Sequence, residues 1–176
     1  MNRSDMKLFL NGLNEHQMSQ VLKILLDNNS DLLKKVYDIA VQAVSDVDHE
    51  EIADDVYYEL NALDLDMLSS RSGRTQYGYV SPDDAASELF EEAITPFIDE
   101  MKNNLQRALY VAAKNYCIGI VKGLMRYEED SNSDLKEWVI EEPGGYIESV
   151  VDDWKKGNPS KEDIIEVMSI VKGDRL

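Results

Sequence analysis

Residues 108 to 127, ALYVAAKNYCIGIVKGLMRY, are apolar almost all the way round a helical wheel. A helix of that kind has no face suited to water, so other elements must coat it on every side. Gly119 and Gly123 lie four residues apart and therefore share one face. Glycine inside a helix costs roughly 1 kcal/mol relative to alanine. A pair of them at this spacing predicts a second helix whose backbone comes very close. The segment thus predicts a buried central helix with one tight partner.

The rest of the chain supplies the coat. Ser4, Asn14, Ser30, Asp48, Ser81, Ser133 and Ser160 each precede an apolar-periodic run and are read as helix caps. Asn14 with Gln17, and Asp48 with Glu51, have capping-box spacing. Ser81-Pro82-Asp83-Asp84 puts a cap, a first-turn proline and two acids at the positive end of one helix. Apolar stripes follow at steps of three and four: Met18, Val21, Leu22, Leu25 and Leu26; Leu32, Val36, Ile39, Ala43 and Val47; Ile52, Val56, Leu60 and Leu63. The stripe from Ala86 to Leu105 runs through Pro96 without a gap, which predicts one kinked helix. EEPGG, at 141–145, predicts a break or kink in the helix begun at Ser133, and residues 146 to 156 are expected to be helical up to Gly157. TQYGYV is the one short alternating run. The expected fold is all-α: eight or nine helices in an array of antiparallel pairs, of the α-solenoid or helical-repeat kind. The 176 residues suit a single domain, 1–176, with a long loop at about 64–81.

Charge is segregated along the chain, whose net charge is −17. Residues 46–66 hold nine acids and no Lys or Arg, and residues 82–100 hold seven acids and again no base. Residues 101–126 reverse this, with Lys102, Arg107, Lys114, Lys122 and Arg126 and no acid. Acidic helices packed beside the basic one would align unlike charges across their seams. The overall sign argues against nucleic acid and anionic membrane as partners, because both need a basic face. A protein partner, of basic character, is the expectation. With one cysteine, Cys117, in an apolar run, the chain has no internal disulfide, and a buried thiol is expected. The N-terminal residues lack the apolar centre of a secretory leader, and no apolar run reaches membrane-spanning length, so a cytoplasmic location is expected.

The stretch SSRSGRTQYGYVSP, 69–82, interrupts the acidic helices on either side of it. It has no acid, and it carries Arg71, Arg74, Tyr77 and Tyr79, residue types enriched at interface hot spots. It lacks the glycine-lysine pair of a phosphate-binding loop. The expectation is a self-packed loop whose arginines pair with the acidic helices on both sides and whose tyrosines offer a recognition surface. A rival reading uses Glu51 with Asp54 and Glu88 with Glu91, pairs whose members share a helix face. Two such pairs on facing helices could hold magnesium for nucleotide or phosphate hydrolysis. A further alternative is an acidic mimic of nucleic acid. Neither metal nor cofactor belongs to the leading reading.

Two blocks also carry a resemblance. LFLNGLNEHQMSQVLKILLDNNSDLLKKVYDIAV and YGYVSPDDAASELFEEAITPFIDEMKNNLQRALYVAAKNYCIGIVKGL look like the helical region that follows the zinc finger in SWIM-type bacterial and archaeal proteins. The finger's cysteines and histidine have no counterpart here. The resemblance therefore implies a free-standing helical-repeat module, without the zinc or nucleic-acid binding of the finger. The function expected from the sequence is a non-catalytic, cytoplasmic protein–protein interaction module.

Overall fold

Where each helix begins is decided by which side chain reaches a free backbone N–H. The structure, a computed structural model, describes residues 2–76, 78–139 and 142–173. Backbone contacts divide the chain into two compact units, Met1–Val44 and Ser45–Leu176, where the sequence reading has one domain.

The first unit holds α1 (Arg3–Asn11), α2 (Glu15–Asp27) and α3 (Ser30–Ser45). Asn2 caps α1 in a box with Asp5, at 2.9 and 3.2 Å, so Ser4 falls inside the helix instead of starting it. Gly12 closes α1 in right-handed backbone (φ −84°), which any residue can adopt. The Asn14–Gln17 box forms as expected, at 2.9 and 3.1 Å. α3 is capped by Asn29, whose Oδ1 accepts from the Leu32 N–H at 3.0 Å, one residue before the expected Ser30. Asparagine and serine cap about equally well, so the backbone turn decides between neighbours. Among the described side chains of this unit none is buried; Leu13, Val21, Leu26, Leu32, Val36 and Val41 are half-buried. The Ala43 side chain, expected on the α3 stripe, lies outside the described residues.

The second unit is built round α7 (Tyr110–Asp130), the helix expected to be central. Four helices lie against it: α4 (His49–Asn61), α6 (Pro82–Gln106), α8 (Glu142–Lys155) and α9 (Lys161–Gly173). The tight partner is α4. A Cβ added to Gly119 would stand 2.6 Å from Ile52 Cβ and 2.8 Å from the His49 carbonyl. One added to Gly123 would stand 2.6 Å from Val56 Cβ and 2.8 Å from the Ala53 carbonyl. Val56, Leu60, Phe90, Ile94, Met101, Ile118, Leu124, Tyr127 and Trp154 fill the core. The fold class is all-α, with nine α-helices among the described residues and one small two-stranded sheet.

α6 starts as expected, with Ser81 Oγ accepting from the Asp84 N–H at 3.1 Å and Pro82 at its first position. It continues through Pro96 as one helix. Ser133 caps a 3-10 turn, Asp134–Trp138, and Ser160 accepts from the Asp163 N–H at 3.1 Å. α8 starts earlier than expected, at Glu142, with Pro143 buried in its first turn, where a missing N–H leaves no bond unmade. α8 ends through Asn158 in left-handed backbone (φ 52°), next to Gly157, where a Cβ would meet Leu105 Cδ2 at 2.6 Å.

Most described residues of the expected loop at 64–81 are in secondary structure. α5 (Leu65–Arg71) is capped by Asp64, whose Oδ1 accepts from the Met67 N–H at 2.8 Å, and Leu68 anchors it in the core. Strands β1 (Gly73–Thr75) and β2 (Gly78–Val80) then pair antiparallel. Both strands use a glycine at positive φ, 104° at Gly73 and 138° at Gly78, a conformation other residues resist.

Candidate recognition surface

Four of the five basic residues of 101–126 are paired along the seams of the second unit; Arg107 is exposed and forms no ion pair among the described residues. Lys122 Nζ donates to Glu50 at 2.5 Å, and Arg126 donates to Asp54 while its guanidinium lies 4.2 Å from the centre of the Tyr57 ring. Lys114 reaches two acids of α9, Asp163 at 2.7 Å and Glu166 at 3.0 Å. Lys102, on α6, meets Asp153 of α8 at 2.8 Å. Unlike charges do align, and two of the seams use acids of α8 and α9 that lie outside the strongly acidic segments. Hydrogen bonding to Asp163 is the main cause holding the Lys114 ammonium above its ordinary range, while Lys102 holds the Asp153 carboxyl below its own.

The N-terminal half of α6 has far less compensation. Arg71, at the end of α5, pairs with Glu92 at 2.6 Å. That hydrogen bond raises the Arg71 pKa and lowers that of Glu92. Arg74 forms no ion pair among the described residues, so the expected bracing by both arginines reduces to one, on the α6 side. Tyr77 lies outside the described residues. Hairpin register puts Arg74 directly opposite Tyr79, so the two side chains leave the same face as neighbours. Tyr79 is 70% exposed.

Beside that face runs a shallow groove of about 370 Å³, lined by Tyr79, Val80, Asp84, Ser87, Glu88 and Glu91. It continues along α6 into a second depression of about 350 Å³ at Glu88, Glu91, Glu92, Thr95 and Pro96. Neither lining includes a base. Ser87 Oγ is turned to Glu142 Oε1 at 2.8 Å. The negative field is felt by a neighbour. Burial first, then the Glu91 and Glu142 carboxylates, raise the Tyr146 phenol above its ordinary pKa. An aromatic face beside clustered carboxylates is the chemistry that binds a lysine or arginine side chain.

The magnesium arrangement fails on geometry. Among the described residues no three His, Cys, Asp or Glu side chains gather at a spacing that could hold a metal ion. Asp54 is engaged by Arg126 on the α4–α7 seam. Glu51 belongs to α4, whereas Glu88 and Glu91 line the α6 groove. Glu88 and Glu91 line one groove, but the two couples do not meet.

A larger cavity, about 440 Å³, lies where α6, α7, α8 and α9 converge, lined by Leu105, Tyr110, Val111, Lys114, Trp154, Asn158 and Ser160 among others. The cation in its wall, Lys114, is already held by two carboxylates. The sequence reading missed this cavity, and the signal available for it was weak: Gly157-Asn158-Pro159, read as a helix stop. Cys117 is buried as expected, and desolvation pushes its thiol up to about 12, far from nucleophilic use.

No protein-family model, curated protein or solved structure matches this chain.

Proposed function

We propose that this chain is a non-catalytic protein–protein interaction module that docks a basic segment of a partner protein along the hairpin and α6. One observation carries the reading. Exposed Tyr79 stands at a groove whose lining holds three acids, Asp84, Glu88 and Glu91, and no base, although Arg71, paired with Glu92, also feels the Glu88 charge. A lysine or arginine of the partner sits over the Tyr79 ring and against the carboxylates. Arg74, opposite Tyr79, supplies donors to main-chain carbonyls of the docked segment. The resemblance to the helical region of SWIM-type proteins points the same way, toward a helical module without chemistry of its own. A cytoplasmic setting is part of the proposal. It is supported by the single buried thiol, and by the absence, among the described residues, of any helix long and apolar enough to cross a membrane.

The test is fluorescence anisotropy of a labelled Lys/Arg-rich peptide titrated with the full chain. Combining Arg74→Ala with Tyr79→Ala weakens binding about tenfold, as for a pair of interface anchors. Combining Glu88→Gln with Glu91→Gln weakens it and flattens its salt dependence. Unchanged affinity in the Arg74/Tyr79 variant, with the melting temperature intact, removes the hairpin from the proposal.

A further inference from the structure

We infer that residues 1–44 are a self-association unit, and that their apolar faces are covered by the same segment of a second copy of this chain. The unit has three helices and, among its described residues, no buried side chain. Among the described residues it carries eleven of the nineteen large apolar side chains that stand in water, on a quarter of the chain's length. Leu8 is 76% exposed, Ile39 67% and Phe9 64%. Met18, Leu22 and Leu25 on α2 recur at helical spacing, so they form a continuous stripe.

Magnitudes favour a protein partner of matching size. At roughly 60–120 Å² of apolar surface for a large side chain, the exposed fractions amount to about 350–700 Å², which spans the apolar share of a standard interface. A standard interface covers about 800 Å² on each partner, while apolar patches on stable monomers rarely exceed a few hundred Å². Charge selects the partner. Residues 1–44 hold five bases (Arg3, Lys7, Lys23, Lys34, Lys35) and five acids (Asp5, Glu15, Asp27, Asp31, Asp38), so their net charge is zero, and all of the −17 lies in residues 45–176. A neutral apolar surface meets its own copy without repulsion. An anionic membrane would call for a basic face and a basic partner for an acidic one; this unit has neither.

The test is sedimentation equilibrium on the full chain from about 1 to about 200 µM, where mass action moves a dimer of ordinary affinity through its transition. A dimer is expected. Raising salt from about 20 to about 300 mM tightens it, because the repulsion between the two acidic units is screened while the apolar contact is not. Leu22→Glu with Leu25→Glu raises the dimer Kd at least about 100-fold by burying charge in the seam. In that variant the melting transition of the 45–176 core persists, showing a folded monomer. Arg74→Ala with Tyr79→Ala leaves the dimer unchanged, which separates this inference from the peptide-docking reading. A chain monomeric over the whole range overturns the inference. So does a dimer that loosens with salt or survives the Leu22/Leu25 substitutions, and so does a monomer that binds lipid vesicles through these residues.

Discussion

At Gly119 and Gly123 a single methyl group decides how close two helices stand. An added Cβ would fall 2.6 Å from a β-branched Cβ and 2.8 Å from a backbone carbonyl of α4, and neither neighbour is a flexible chain end. Overpacking of this kind costs about 1–3 kcal/mol. Alanine recovers at most about 1 kcal/mol of helix propensity. Gly119→Ala and Gly123→Ala are therefore each expected to lower the melting temperature by a few degrees, at about 2–4 °C per kcal/mol for a chain of this size. Gly145, in α8, is the internal contrast, because nothing lies within 4 Å of where its Cβ would stand. Gly145→Ala is expected to leave the melting temperature unchanged or raise it slightly. Equal losses at all three positions would show that backbone entropy, not the α4–α7 approach, governs them.

At the scale of elements, the ion pairs tie α7 to α4 and α9, and α6 to α8, and their energy is pH-dependent in a definite direction. Lys102, then Lys156, hold Asp153 below the ordinary carboxylate range. A carboxyl depressed in the folded state adds stability above its unfolded pKa, near pH 4, and loses it as pH falls through the folded value. Asp153→Asn is thus expected to melt about 1–3 °C below the native chain at neutral pH, the range of a partly exposed pair. The gap should close progressively below about pH 4. A gap that persists at pH 2 would assign the loss to shape instead of charge. The α4–α7 seam was legible in the sequence as segregated charge, because a base-free helix beside a basic one needs only packing to pair; the seams to α8 and α9 were not, since their acids lie outside the segregated segments. The caps at Asn14, Asp48, Ser81, Ser133 and Ser160 were legible too, since a side-chain oxygen bonded to a first-turn N–H is a local event. α5 and the hairpin were not. Seven helical residues and two three-residue strands are too short to show a period, and the one clue to α5, Asp64 before Leu65 and Leu68, reads equally as the end of α4. The groove was half legible. Glu88 and Glu91 share a helix face by spacing alone, but their meeting with Tyr79 depends on the hairpin register. The proposed pairing with Glu51 and Asp54 failed for the same reason in reverse. Spacing places residues on a face, and only packing says what that face meets.

At the scale of the molecule, the two units differ in what makes them fold. Residues 45–176 own a core in which Val56, Phe90, Leu124 and Trp154 are all but fully buried. Residues 1–44 own none among those described, and their helices span 9, 13 and 16 residues. Isolated helices shorter than about 12–15 residues are marginal in water even with favourable sequences, because nucleation must be repaid by packing. If a second copy supplies that packing, the order of the first unit becomes a function of concentration while that of the second does not. Amide hydrogen exchange on the full chain reads the two separately. Between about 1 and about 200 µM, protection over α1–α3 is expected to rise about in step with the dimer fraction, while protection over α4 and α7 stays fixed. The Leu22/Leu25 variant should keep the low-concentration pattern at every concentration. Slow exchange in α1–α3 at both extremes would mean that the helices are held within a single chain. Fast exchange at both would mean that no second copy covers them. Either result separates the fate of the neutral unit from that of the acidic core, which the same data report independently.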